Sequence, residues 1–242
     1  MTQPNEEWKQ FDAWAEALGV SLLPEQVAQF AIYQRLLLDW NERMNLTAVR
    51  DPEEIRVRHF LDSLSCANVT GDLNGRSLID VGTGAGFPGL PLKILYPQLR
   101  LTLVESVAKK GQFLQAVVAE LALADVEIIA ERAEHLGQLA QHREQYDWAV
   151  ARAVAELRIL VEYLLPLCRV GGAVLAQKGE GVHLELPNAE TAVSLLGGGQ
   201  PTVSEVLLPY REQPHYFVLI QKIGETPAKY PRRVGVPGKR PL

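Results

Sequence analysis

The stretch LIDVGTGAGFPGLPLKI, residues 78–94, sets Gly82, Gly84, Gly86 and Gly89 behind a short apolar run that contains Asp80. Glycines at the end of a strand let the chain turn tightly, and let backbone N–H groups come closer to a ligand than a side chain would allow. The spacing Gly84-x-Gly86-x-x-Gly89 also fits the dinucleotide fingerprint, so the glycines alone do not choose the ligand. Two acids do. Asp80, at the carboxyl end of the strand, repels a pyrophosphate but suits a cofactor carrying an amino group and a sulfonium. Glu105 closes the next strand about 20 residues further on, where an acid bonds the two hydroxyls of an adenosine ribose. Together they point to S-adenosylmethionine. In the plainer alternative, Asp80 caps a loop and Glu105 is a solvated strand end.

The elements that must hold these residues change character along the chain. Val27, Phe30, Ala31, Leu37 and Leu38 recur at near-helical spacing over residues 24–40, with Pro24 suited to a first turn. Asp51-Pro52-Glu53-Glu54 reads as an N-cap, a first-turn proline and a capping carboxylate, opening a helix through IRVRHFLDSL. From residue 77, short strand-like runs alternate with helical patterns: SLIDV (77–81), RLTLVE (100–105), VEIIA (126–130), DWAVA (147–151), GAVLAQ (172–177), TVSEVLL (202–208) and YFVLIQK (216–222). Between the second and third, Leu114, Val117, Val118 and Leu121 share one helix face. This alternation predicts an α/β fold, a seven-stranded mostly parallel sheet with helices on both faces. The last two strands have no helix between them and predict an antiparallel edge pair. The expected units are an N-terminal helical cap (1–72), a main domain (73–224) and a basic, proline-rich tail (225–242). The ending AKYPRRVGVPGKRPL argues against a packed strand or helix there.

A chain of 242 residues, 47% hydrophobic and 22% charged, has the balance of a globular protein with a sizeable core. The net charge of −5 means that the whole molecule repels phosphate polymers, so any nucleic-acid site must be a local patch. MTQPNEEW lacks the basic and apolar regions of a leader, and no apolar run approaches a membrane span, so the expected location is cytoplasmic. Cys66 and Cys168 stand far apart in apolar company and read as buried thiols, with neither disulfide nor zinc expected.

In the segments NLTAVRDPEEIRVRHFLDSL, IDVGTGAGFPGLPLKI, AERAE, ARAVAEL, AQKG and YPRRVGVPGKRPL, the chain resembles the RsmG (GidB) family of bacterial methyltransferases. The similarity runs from about residue 30 to the C-terminus. It implies a class I methyltransferase, a Rossmann-like sheet with an N-terminal helical extension. The implied reaction moves a methyl group from S-adenosylmethionine to N7 of a guanosine in the decoding-centre hairpin of 16S ribosomal RNA. Guanine N7 is an in-plane lone pair without a proton, so placement rather than a catalytic base does most of the work. The five histidines lie outside any nucleophile or metal motif, in keeping with that chemistry.

The resemblance also implies residue roles. Asp80, Gly82, Gly84, Phe87 and Glu105 are expected at the cofactor, with Ala133 and Glu134 of AERAE beside its adenine. A first-turn helix carboxylate is the alternative role for Glu134. Arg152 and Lys178 are the expected catalytic residues, and Arg152 is also expected to meet the cofactor. Arg58, His59, Arg232 and Arg233 are expected to touch RNA, and Phe87 and Tyr210 are candidates to stack the target base. The expected partner is 16S rRNA, free or within the 30S subunit or its precursor, bound by a monomer without membrane or metal. Three rivals stay open: the same cofactor with a small-molecule or protein acceptor, a NAD-dependent oxidoreductase for which no proton donor is found, and a cofactor-binding assembly factor without turnover.

Overall fold

Alternation along Ser77–Val81 (β1) turns Leu78 to one face of the sheet and Ile79 with Val81 to the other, and the two sets enter different hydrophobic clusters. Both faces are buried, as a parallel sheet requires. The computed structural model describes residues 6–209 and 213–242. The other strands are β2 (Arg100–Val104), β3 (Val126–Ile129), β4 (Tyr146–Arg152), β5 (Cys168–Lys178), β6 (Thr202–Val206) and β7 (His215–Gln221). They form one sheet in the order β3-β2-β1-β4-β5-β7-β6, parallel except for β7, which runs antiparallel to both β5 and β6. The expected seven-stranded sheet and antiparallel edge pair are what forms.

The helices are α1 (Glu6–Ala17), α2 (Pro24–Asn41), α3 (Pro52–Ile55), α4 (Asp62–Leu64), α5 (Ala67–Thr70), α6 (Gly89–Leu95), α7 (Ala108–Glu120), α8 (Ala133–Leu136), α9 (Leu157–Leu164), α10 (Val182–Leu195) and α11 (Val236–Lys239). Leu114, Val117 and Leu121 of the predicted α7 stripe are buried, and Val118 packs at its edge. The N-terminal helices complete one of the two layers. Phe11, Phe30, Phe60 and Tyr33 form a ring cluster continuous with Leu78, Leu101, Leu103 and Phe217 of the sheet. On the other face, Leu160, Val161 and Leu164 of α9 and Ala189, Ala192 and Val193 of α10 cover Ile79, Ala149, Val174 and Ile220.

Two details differ from expectation. The Asp51 cap forms, with Oδ1 accepting from the Glu54 amide at 2.9 Å, but α3 continues into a π-helical turn over Arg56–Leu61 before α4. Such turns concentrate at functional sites. Strand β5 also begins at Cys168, ahead of the expected 172–177, with a shift in the β4–β5 register on the way. A Cβ on Gly172 would lie 2.5 Å from the Asp147 carbonyl oxygen, so glycine permits the close strand approach.

The tail corrects the sequence reading. It is docked: Tyr230 is buried, and Val236–Lys239 forms the short α11. Arg232 donates from Nε and Nη2 to Glu162, which is 0% exposed, at 2.9 and 2.5 Å. Arg143 donates to the Tyr230 and Thr226 carbonyls at 2.6 Å, and Gln138 to the Pro231 carbonyl at 2.7 Å. The prolines do break regular structure, but distant side chains supply the bonds that local repetition does not.

Candidate active site

Strand β1 pairs with β2 on one side and β4 on the other, so the chains leaving β1 and β4 part at their carboxyl ends and open a crevice. Two cavities lie there. The smaller, about 80 Å³, is lined by Gly82, Ser106, Ala133, Glu134, Val154 and Tyr163 among others. The larger, about 460 Å³, is lined by residues that include Asp62, Arg152, Gln177, Lys178, Glu185 and His215. Consecutive residues divide them, because Ala153 faces the larger cavity and Val154 the smaller.

On the smaller side the glycine loop is held from beneath. Asp80 is fully buried, and its Oδ2 accepts from Thr83 Oγ1 at 2.7 Å and from the Gly89 amide at 2.8 Å. Burial pushes its carboxyl up to about 6, against the pull of these two hydrogen bonds. Asp80 thus anchors the loop, the role the plainer alternative gives it. Glu105, by contrast, is buried and is not the solvated strand end of that alternative. Its Oε1 accepts from the Val107 amide at 2.8 Å and its Oε2 from the Gly84 amide at 3.1 Å, tying β2 to the glycine loop.

Gly82 has φ +69°, and a Cβ there would lie 2.8 Å from Val154 Cγ2. Ala133 and Glu134 line this cavity, while Glu134 Oε1 accepts from the Gly235 amide of the tail at 3.0 Å.

Phe87 packs inward. Its ring is buried against Tyr33 at 5.5 Å and His59 at 4.7 Å, with the Arg152 guanidinium 4.9 Å from its centre. Tyr210, the other stacking candidate, lies outside the described residues.

On the larger side Arg152 ends β4 and donates from Nη1 to Asp62 Oδ2 at 2.8 Å and to the Arg58 carbonyl at 3.1 Å. Asp62 also accepts from Gln177 Nε2 at 3.3 Å, and its Oδ1 lies 3.2 Å from His215 Nδ1. Lys178 ends β5, donates to the Ala155 carbonyl at 2.8 Å and pairs with Glu185 Oε2 at 2.6 Å. The same Glu185 oxygen accepts from the Leu157 amide, so one carboxylate binds Lys178 to the start of α9.

The remaining RNA candidates divide. Arg58 is exposed near Glu54, with Nη1 to Oε2 at 3.4 Å. Burial, helped by the Arg152 charge, lowers His59 to about 4, so its ring is neutral near pH 7 and offers no cation to phosphate. Arg232 is consumed by Glu162, whereas Arg233 is exposed. Asp62, Gln177, Glu185 and His215 carried no role in the sequence reading, and their only local signal was that Asp62 falls within the HFLDSL segment. Among the described residues no group of three His, Cys, Asp or Glu side chains is placed to hold a metal, and no helix is long and apolar enough to cross a membrane.

A reversed last strand on a parallel sheet, with a glycine loop after β1 and paired cavities at the switch point, defines the class I methyltransferase fold. Solved structures share it. TrmN from Thermus thermophilus superposes with a TM-score of 0.52 at 15% identity, over 69% of this chain and 53% of that one. A predicted O-methyltransferase from Agrobacterium tumefaciens gives 0.51 at 15% identity, over 62% and 76%. The chain belongs to the GidB family, rRNA small subunit methyltransferase G, whose model matches residues 26–213. It is 54% identical over 228 residues to the ribosomal RNA small subunit methyltransferase G of Roseiflexus castenholzii, covering 94% of this chain and 97% of that one. The protein of the same name from Alkaliphilus metalliredigens is 48% identical over 227 residues, 94% and 95% of the two chains.

Proposed function

We propose that the protein transfers the methyl group of S-adenosylmethionine to N7 of a guanosine in the decoding-centre hairpin of 16S ribosomal RNA, in the cytoplasm. The observation that carries this reading is a pair of cavities whose linings contain the consecutive residues Ala153 and Val154, one backed by a glycine loop and the other lined by cations and carboxylates.

The residues fit the cofactor. Gly82 offers a backbone free of Cβ, and Ser106, Ala133 and Glu134 line the same cavity as adenosyl-side neighbours. At about 80 Å³ the cavity is smaller than the roughly 300–1,000 Å³ typical of ligand sites, so it must open to admit a nucleoside, and Val154, 37% exposed in its lining, is one side chain that can move. Bound there, the cofactor supplies an electrophilic methyl group. Arg152, Gln177 and Lys178 orient the purine in the larger cavity, and no group need remove a proton from N7. Positive charge arrives on the purine with the methyl group, and Glu180 and Glu185 at the same cavity are suited to offset it. The N-terminal helices contribute a wall through Asp62.

The test is methyl transfer from labelled S-adenosylmethionine to 30S subunits lacking the modification, followed by nuclease mapping. Label on N7 of one guanosine in the hairpin supports the reading. Cofactor binding by calorimetry with no label on 30S subunits, free 16S rRNA or assembly intermediates refutes the acceptor.

A further inference from the structure

The docked tail creates a third cavity. A groove of about 430 Å³ is lined by His135 and Gln138 from the α8 side and by Lys229, Arg232 and Arg233 from the tail, with Glu134 at its inner end. Glu134 also lines the smaller cavity of the crevice, so the groove adjoins the cofactor side, with the acceptor side beyond it.

The charges in the groove are unequal. Arg232 is neutralised by Glu162, His135 pairs with Glu131 at 2.8 Å, and Glu134 is buried under the Gly235 amide. Lys229 and Arg233 are exposed, and among the described residues neither has an acid within ion-pair distance, Lys229 Nζ lying 5.2 Å from the centre of the Tyr230 ring; residues 226–242 contain no acid, in a protein whose net charge is −5.

We infer that this groove binds the phosphodiester backbone of the RNA substrate through Lys229 and Arg233, while Arg232 serves only to hold the tail. The inference rests on the proposed RNA methyltransferase reading and extends it to a second contact region. From β3, which leads into α8, to β5, at the acceptor cavity, are four strand spacings of about 4.8 Å, roughly 19 Å in all. A nucleoside or small metabolite in the acceptor cavity does not reach that far, but a polynucleotide does. Its backbone is the ligand for which unpaired cations, rather than a shaped pocket, suffice.

The experiment compares the full-length protein with the Lys229→Ala/Arg233→Ala double variant in binding a labelled 16S rRNA transcript between about 50 and about 200 mM salt. Two lost phosphate contacts flatten the slope of log K against log salt by about 1.4, at about 0.7 per contact for single strands. A Lys9→Ala/Arg43→Ala variant makes the same charge change at exposed positions on α1 and in the turn after α2, and is expected to keep the wild-type slope. An unchanged slope in the Lys229/Arg233 variant, or an equal fall in the control, overturns the inference. If the wild type also labels 30S subunits, only the groove is lost; if it binds no RNA and labels none, the functional reading falls with it.

Discussion

The Arg152 guanidinium and the Asp62 carboxylate, 90 residues apart, meet at 2.8 Å with side chains only 18% and 9% exposed. The pair joins the end of β4 to the N-terminal helices, and Gln177 and His215 close around the same carboxylate from β5 and β7. Arg152 is thus a cation at the larger cavity, the proposed acceptor site, held there by a partner on another layer. Removing one member of a largely buried pair leaves the other charge uncompensated. Asp62→Ala is expected to lose about 3 kcal/mol in urea unfolding and to lower kcat more than it raises KM for the cofactor. Wild-type stability and turnover in that variant would show that Arg152 needs no such holder.

The backbone at Gly82 has left-handed φ and lines the smaller cavity, the proposed cofactor site. Gly82→Val is expected to abolish S-adenosylmethionine binding in calorimetry. Gly82→Ala, which adds one methyl group at the same strained φ, is expected to weaken it at least about tenfold, equivalent to about 1.4 kcal/mol. Unchanged affinity in the valine variant would place the cofactor elsewhere.

Arg232 and Arg233 are neighbours in sequence with opposite roles. Arg232→Ala strands the buried Glu162 carboxylate and is expected to destabilise the fold by about 3 kcal/mol. Arg233→Ala, on the surface, is expected to stay within about 0.5 kcal/mol of the wild type. Denaturant midpoints decide the matter, and equal effects would contradict the docked tail.

Two buried groups give pH dependence of opposite sign. Asp80 titrates at about 6 in the fold, against an ordinary 3.8. Between those values the folded chain holds a proton that the unfolded chain releases, so the Asp80 contribution to stability falls as pH rises. His59, lowered to about 4 from 6.5, behaves conversely: the unfolded chain binds the extra proton, so this contribution rises with pH and is lost on acidification. The stability of Asp80→Asn relative to the wild type is therefore expected to climb between about pH 4 and pH 6, by up to about 3 kcal/mol, and then level off. Parallel unfolding free energies across that range would argue against a proton held on Asp80.

The local patterns in the chain were enough for the seven strands, the Asp51 cap, the α7 stripe and the glycine turn, because alternation, capping and φ preference are properties of neighbouring residues. The family was legible too, in segments whose residue order is itself distinctive. The partners were not. Arg152 finds Asp62 across 90 residues, Gln177 finds Asp62 across 115, Arg232 finds Glu162 across 70 and Gly235 finds Glu134 across 101. Such pairs depend on sheet order and on burial that strips water from both groups, and no local periodicity encodes either. The acid at the end of β1 was visible as an acid. That its carboxylate accepts from the Gly89 amide beneath the loop was decided by how α6 packs on the sheet.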